Sequence, residues 1–439
     1  MNMDLWATLD NQQENQQQGA GVGGPVHAPP PQKRRLTERV AHSVVREWLL
    51  RDYAAAYCRS LASIRIFRRC YWIDGLGVEA RMRAGVMEPI VELGRVLAGE
   101  NRPIALRGLV LKGGSSRRRE AREQQAAKGA TAVKLPEEGG VVDASWLEIA
   151  PALLQAIEQA PAVFLLNPFG QTLFGYDNLA PFYQRTGPTE LFLLLSHKQL
   201  ASHLLLASQV GSAEATTLTA LLRSDRWKSL LADSAGKNGI GDDRGNGGAG
   251  LLQEQVESSL SSPTLLPAQA IDGLVDLLIA SMKGRFLTVQ RVALPMRVGP
   301  GAVELAPHTL LFATRRQDSL AIMNDATCAY RRRVSTQSYQ GVLGEEWFAQ
   351  QEHERLAAEQ HELEQLIAAI GSAQRPRRWP ELRQHLLFTH FGRWLVQEYD
   401  EVMRLLLKDG KARCEWRRKV SDGTGAQRVP GDEDILFWR

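Results

Sequence analysis

The chain has 439 residues, 44% hydrophobic and 23% charged, with a formal net charge of +4. That length suggests two or three domains, and with no apolar run of about 18 residues a membrane-spanning helix is not expected. Four scattered cysteines (Cys58, Cys70, Cys328, Cys414) without a C-x-x-C pair argue against a zinc site and a disulfide framework. Residues 1–35 lack the apolar core of a signal peptide, so a reducing cytoplasmic setting is expected. The charge is unevenly spread. Ala373 to Arg439 carries 14 Lys/Arg against 10 Asp/Glu, and the remainder balances at 39 against 39. The basic excess therefore sits at the C-terminal end, where either a nucleic-acid contact or a solvated mixed-charge surface accounts for it.

Residues 1–35 are rich in Gln, Asn, Gly and Pro and read as a disordered tail, because they cannot bury enough apolar area to offset ordering. Leu36 to Ile66 has one apolar face at helical spacing. Cys70 to Asp74 reads as a strand opening into a loop with Gly75 and Gly77, and a helix follows over Pro89 to Leu97. Ile104 to Leu111 is a second strand, Arg117 to Lys128 a charged helix, Ala130 to Leu135 a short strand, and Ala144 to Gln159 an amphipathic helix. Ala162 to Leu166 is continuously apolar, the pattern of a strand buried on both faces of a parallel sheet. It stops at Asn167-Pro168-Phe169-Gly170, so Asn167 stands at a strand's carboxyl end, where open α/β sheets place ligands. The same four residues also serve as a plain strand-ending turn.

A helix over Tyr176 to Gln184 and a strand over Glu190 to Leu195 complete the alternation. Strands and helices in this rhythm predict a doubly wound α/β sheet. A helical and Gly/Asn-rich insertion is expected at about 198–283, followed by closing strands over Phe286 to Pro295 and Thr309 to Ala313. The α/β domain thus spans 36–335, and a Glu/Gln-rich linker helix falls within 336–375. Residues 376–439 hold two helices, Trp379 to Phe388 and Glu398 to Leu407, then a basic hairpin around Asp422-Gly423. That order suggests a winged helix whose Arg417, Arg418 and Lys419 touch phosphates. Winged helices also bind proteins. No Ser-His-Asp or Cys-His arrangement stands out among nine histidines, and no metal site is expected.

Four segments together resemble the three-Cys-motif partner (TcmP) family. They are Tyr71-Trp72-Ile73-Asp74-Gly75 with its preceding helix, Phe164 to Gly170, Leu310 to Thr314 followed by Ile322-Met323-Asn324-Asp325-Ala326, and the end of the chain through Asp432-Glu433-Asp434-Ile435-Leu436. Asn167-Pro168-Phe169 is also similar to the (Asp/Asn)-Pro-Pro-(Tyr/Phe) tetrapeptide of amino-group methyltransferases, with the aromatic third rather than fourth. These resemblances imply a Rossmann-like, class I methyltransferase sheet using S-adenosylmethionine. They also imply a separate three-cysteine, radical-SAM-like partner protein and a nucleic-acid substrate. Asp74, Gly75 and Gly77 would hold the cofactor, Asn167 and Pro168 the target amine, and Phe169 would stack on the base. The sequence departs from the family at three places. Val78 and Ala80 fill two glycine positions of the Asp-x-Phe-Ala-Gly-x-Gly pattern, and Glu88 stands before Pro89 in place of Ser. The second strand ends at Lys112 with no carboxylate for the ribose hydroxyls. A catalytically lapsed module that binds nucleic acid or protein is the competing expectation.

Overall fold

The structure, a computed structural model, describes residues 41–77, 88–112, 139–231, 268–294, 297–298, 303–304, 307–339, 345–375, 378–417 and 428–438. The expected tail, the helix over 117–128, the strand over 130–135, the Gly/Asn-rich stretch and the hairpin tip lie outside these residues. The chain divides into two compact units. One comprises Cys58–Leu294 with Ala306–Arg316; the other comprises Met1–Tyr57, Pro295–Leu305 and Gln317–Arg439.

The first unit is built on a seven-stranded, mostly parallel sheet. Its strands are β1 (Arg69–Asp74), β2 (Ala105–Leu111), β3 (Gly139–Val142), β4 (Ala162–Leu166), β5 (Thr189–Ser196), β6 (Thr288–Leu294) and, after the two-residue strands β7 (Arg297–Val298) and β8 (Val303–Glu304), β9 (His308–Thr314). The order across the sheet is β3-β2-β1-β4-β5-β9-β6. β1 to β5 are mutually parallel, and β9 runs antiparallel to both its neighbours. β4 and β5 are buried along their whole length, which is why they read as unbroken apolar runs rather than alternating ones.

One face of the sheet carries Tyr71, Ile73, Leu109, Phe164, Leu166, Leu191 and Leu311 into a single core. Helices Trp146–Ile157, Tyr176–Gln184, His197–Ser208, Ala213–Leu222 and Ala268–Met282 supply the rest of that core through residues such as Leu153, Phe182, Leu204, Leu218 and Leu274. The stretch expected as an insertion therefore contains core helices. Its leucines recur at helical spacing and complete the layer over β5. Helix Glu88–Ala98 packs on β2 with Ile90 and Leu97 buried.

Two arginines stop helices in this unit. Arg185, itself buried, donates to the carbonyls of Glu158 at 2.7 Å and Ala160, at the end of helix Trp146–Ile157. Arg315 donates to the carbonyls of Phe182 at 2.8 Å and Tyr183 at 3.1 Å, at the end of helix Tyr176–Gln184. Cations placed on the last, otherwise unpaired carbonyls satisfy them and oppose the helix dipole.

The second unit contains helices Gln317–Tyr339, Glu345–Gln374, Trp379–Thr389 and Val396–Lys408 and the antiparallel ribbon β10 (Ala412–Glu415) with β11 (Ile435–Trp438). Leu363 and Ile367 share one buried cluster with Leu320, Trp379, Leu386, Tyr399, Met403 and Leu436. The helix expected as a linker is therefore a core element, and the C-terminal segment of this unit starts at Gln317 rather than at 376. Its charged residues lie outward while one narrow stripe of apolar side chains is buried. Asn324 and Asp325 hold this unit together. Asn324 donates to the Trp394 carbonyl at 2.7 Å and accepts from Gly392 N–H at 2.8 Å, and Asp325 accepts from Val396 N–H at 2.8 Å. Two helices and a two-stranded ribbon are thus present as expected, packed on two longer helices.

Candidate active site

β1 lies mid-sheet with β2 on one side and β4 on the other. The crossover from β1 goes to β2, and the chain later returns to place β4 on β1's opposite edge, so the strand order reverses between β1 and β4. In open α/β sheets the crevice at the carboxyl ends of such a strand pair is the ligand position. Asp74 pairs in register with Leu165, and Gly75 N–H donates to the Leu165 carbonyl at 2.8 Å. The loops after Asp74 and after Leu166 therefore open side by side, bringing together two of the three groups of site residues that the sequence singled out.

Asp74 is 2% exposed, and its Oδ1 accepts from Leu76 N–H at 3.0 Å. The carboxylate shapes the turn after β1. Gly75 is favoured by packing, because a Cβ there would come within 2.5 Å of Leu166 Cδ2 and that buried side chain would have to shift. Gly77 has φ of +89° and open space around its missing Cβ, so it is required by backbone conformation. Val78 to Ala80 lie outside the described residues. At the end of β2, Lys112 pairs with Asp143 at 3.8 Å. Asp143 follows β3, a four-residue strand beginning Gly-Gly that sequence reasoning missed; a carboxylate thus stands beside the position where the second strand lacks one.

After β4, Asn167 Oδ1 accepts from Phe169 N–H at 3.0 Å and its Nδ2 donates to Gln199 Oε1 at 2.9 Å. Phe174 N–H donates to the Pro168 carbonyl at 2.9 Å, and His203 Nε2 donates to the Gly170 carbonyl at 2.9 Å. Gln199 and His203 sit on the helix that follows β5, two contacts that no local sequence pattern announces. Phe169 is fully buried, in the same core as Leu173, with its ring centroid 6.0 Å from that of His203. The expected stacking of Phe169 on a base is therefore corrected: the third position of the tetrapeptide points into the core. Asn167 is half-buried. Each amide group has capacity left, one lone pair on Oδ1 and one hydrogen on Nδ2, and the Pro168 oxygen likewise keeps a lone pair. His197, at the end of β5, shares a 2.9 Å hydrogen bond with Thr309 Oγ1, and burial holds its imidazole pKa below the ordinary value.

The third expected group lies in the other unit. Arg417 is exposed, and its guanidinium pairs with Glu415 at 3.2 Å. Its N–H donates to Asp434 Oδ1 at 2.9 Å, and the buried Asp434 also accepts from Gly431 N–H at 2.8 Å. Arg418 and Lys419 lie outside the described residues. Among the described residues no cluster of His, Cys, Asp and Glu is placed to hold a metal ion, and no helix is long and apolar enough to cross a membrane.

No protein-family model matches the chain, and no curated protein matches it. Among solved structures it is similar to the plantazolicin methyltransferase BamL in complex with a triazolic desmethylPZN analog and SAH. That similarity has 9% identity, covers 65% of this chain and 92% of that one, and has a TM-score of 0.23. A TM-score that low carries no argument. The seven-stranded, mostly parallel sheet is by its own strand order consistent with a Rossmann-like methyltransferase fold.

Proposed function

We propose that the α/β unit is a methyltransferase domain that takes S-adenosylmethionine at the carboxyl ends of β1 and β4 and modifies an amine of a nucleic-acid base. A three-cysteine, radical-SAM-like protein is its proposed partner. The observation that carries this reading is the pairing of β1 and β4 at the point where the strand order reverses, with Asp74-Gly75-Leu76-Gly77 ending one strand and Asn167 ending the other. The backbone of Gly75 to Gly77, with Asp143 beside Lys112, would hold the cofactor. Bound there, it would supply an electrophilic methyl group. Asn167 Oδ1 and the Pro168 carbonyl each keep a lone pair to accept from an exocyclic amine, fixing its orientation. The hydrogen bonds to Gln199, His203 and Phe174 keep that loop in one conformation, and the buried Phe169 supports it from below. The nucleic-acid substrate and the partner rest on family resemblance, and a fold alone does not fix an activity.

A second reading, a catalytically lapsed binding module, draws on two observations: Lys112 stands where a ribose-binding acid is expected, and Phe169 offers no face to a base. Incubating the full chain with S-adenosylmethionine carrying a tritiated methyl group and single-stranded DNA or RNA separates the two. The proposal expects label on the nucleic acid from the wild type and none from Asn167→Ala. Absence of label from the wild type favours the lapsed module.

A further inference from the structure

A concave surface lies at the amino end of the same sheet, opposite the loops that follow Asp74 and Leu166. It is an open groove of about 530 Å³ lined by Ile66, Phe67, Arg68, Arg69, Ala105, Arg107 and the turn Glu158 to Pro161. Backbone pairing assembles it. Arg68 accepts from Ala105 N–H at 2.9 Å, Arg69 pairs with Ala105, and Tyr71 pairs with Arg107, so the starts of β1 and β2 present three guanidinium groups on adjacent strands. Arg65 and Arg102 flank it in the chain, both exposed. None of these five arginines forms an ion pair among the described residues. The neighbouring Glu100 is already taken, by Arg59 at 2.9 Å.

Four other arginines of this unit have partners: Arg185 and Arg315 cap helices, Arg95 pairs with Glu92, and Arg291 with Asp272. Guanidinium groups that line one groove without ion pairs among the described residues repel each other, and an anion removes that repulsion. The groove does contain one carboxylate, Glu158, and the end of a helix, whose dipole is negative there. Arg185 offsets that end by holding the carbonyls of Glu158 and Ala160.

We propose that this groove binds the phosphate backbone of single-stranded nucleic acid, with Arg68, Arg69 and Arg107 on the phosphates and Phe67 and Ile66 against a base. The cations are all arginines, whose planar fork matches phosphate. Ile66 is 74% exposed, and Phe67 is half-exposed at the groove wall. A basic channel with an apolar platform is the general arrangement of single-strand binders, because every base has a face to stack while the backbone supplies charge. The volume exceeds that of a single ion and matches a nucleotide-sized site. The inference shares with the proposed function the class of partner, but it needs neither cofactor nor transfer, since the groove and Asn167 lie at opposite ends of the strands.

The test is fluorescence anisotropy of the full chain with a labelled oligo(dT) and a labelled oligo(U), across a salt series. The expected result is salt-dependent binding by the wild type. Arg68→Ala/Arg69→Ala/Arg107→Ala should weaken it at least ~10-fold and lower the log–log salt slope by about 2, since each lost phosphate contact accounts for about 0.7. Arg68→Glu/Arg69→Glu, which touches only exposed side chains, gives the same reading should loss of Arg107 disturb folding. Unchanged binding in a folded double variant overturns the proposal, as does a wild type that binds neither oligonucleotide. Equal displacement by polyglutamate also overturns it, by assigning the groove to acidic proteins. S-adenosylmethionine titration of the same variants should give wild-type affinity, which keeps failure of the groove distinct from failure of the transfer site.

Discussion

The two ends of one sheet contrast in how their polar groups are used. At the carboxyl end, the side chains that look functional are held by their own chain: Asp74 by Leu76, Asn167 by Phe169 and Gln199. At the amino end, Arg68, Arg69 and Arg107 line a groove without ion pairs among the described residues. The first arrangement is a preorganised turn with a lone pair or two to spare, suited to orienting a small group. The second is a cluster of like charge, suited to attracting a large anion. A site for chemistry and a site for affinity need not coincide, and here the same strands would serve both from opposite ends.

Substitutions at each end sharpen or break this contrast. The largest effect is expected for Asn167→Ala on methyl transfer, a loss of about 3 kcal/mol of transition-state stabilisation by analogy with positioned oxyanion donors. Its stability should fall only by about 1 kcal/mol, the worth of a net intramolecular hydrogen bond. Rate and urea denaturation measured on one preparation check both. Undiminished transfer by a folded Asn167→Ala protein would reduce the residue to a turn cap.

Gly75→Val comes next. Its Cβ would meet the buried Leu166 side chain, and overpacking of this kind costs about 1–3 kcal/mol. Chemical denaturation reads the loss directly. A fully stable Gly75→Val protein with lost cofactor affinity would show that the glycine serves the cofactor rather than Leu166. Gly77→Ala meets no neighbour but forces a side chain into a left-handed conformation, for about 1–2 kcal/mol.

Arg417→Ala should do least. An exposed pair such as Arg417 with Glu415 contributes about 0–1 kcal/mol. With a carboxylate at its side it should also matter less to oligonucleotide affinity than Arg68 or Arg69. A larger affinity loss from Arg417→Ala than from Arg69→Ala would move the nucleic-acid contact to the C-terminal ribbon.

Much of the sheet was legible in the sequence. β1, β2, β4, β5 and β9 are buried enough to leave apolar runs, and the helix Tyr176 to Gln184 matches its expected bounds. Three features were not. β3 is four residues long and half glycine, below what periodicity registers. Helix Glu345–Gln374 hides its core role because only a thin stripe around Leu363 and Ile367 is buried, while the large apolar Trp347 on the same helix is 47% exposed. At the candidate site, Asn167 and Asp74 were visible as strand ends, but Gln199 and His203 meet the loop across 32 and 33 residues of sequence. The amino-end groove escaped for the same reason. Arg68 and Arg69 are adjacent in sequence, but Arg107 joins them only when β1 pairs with β2, so the groove is not visible as a charge run.

The central claim is that the carboxyl ends of β1 and β4 form a cofactor site. Isothermal titration of S-adenosylmethionine into the full chain tests it most directly, with hydrogen exchange followed at residues 74–77 and 167–170. The account predicts saturable binding and slowed exchange in both loops, retained in Asn167→Ala. No heat of binding and no change in exchange at either loop would contradict it.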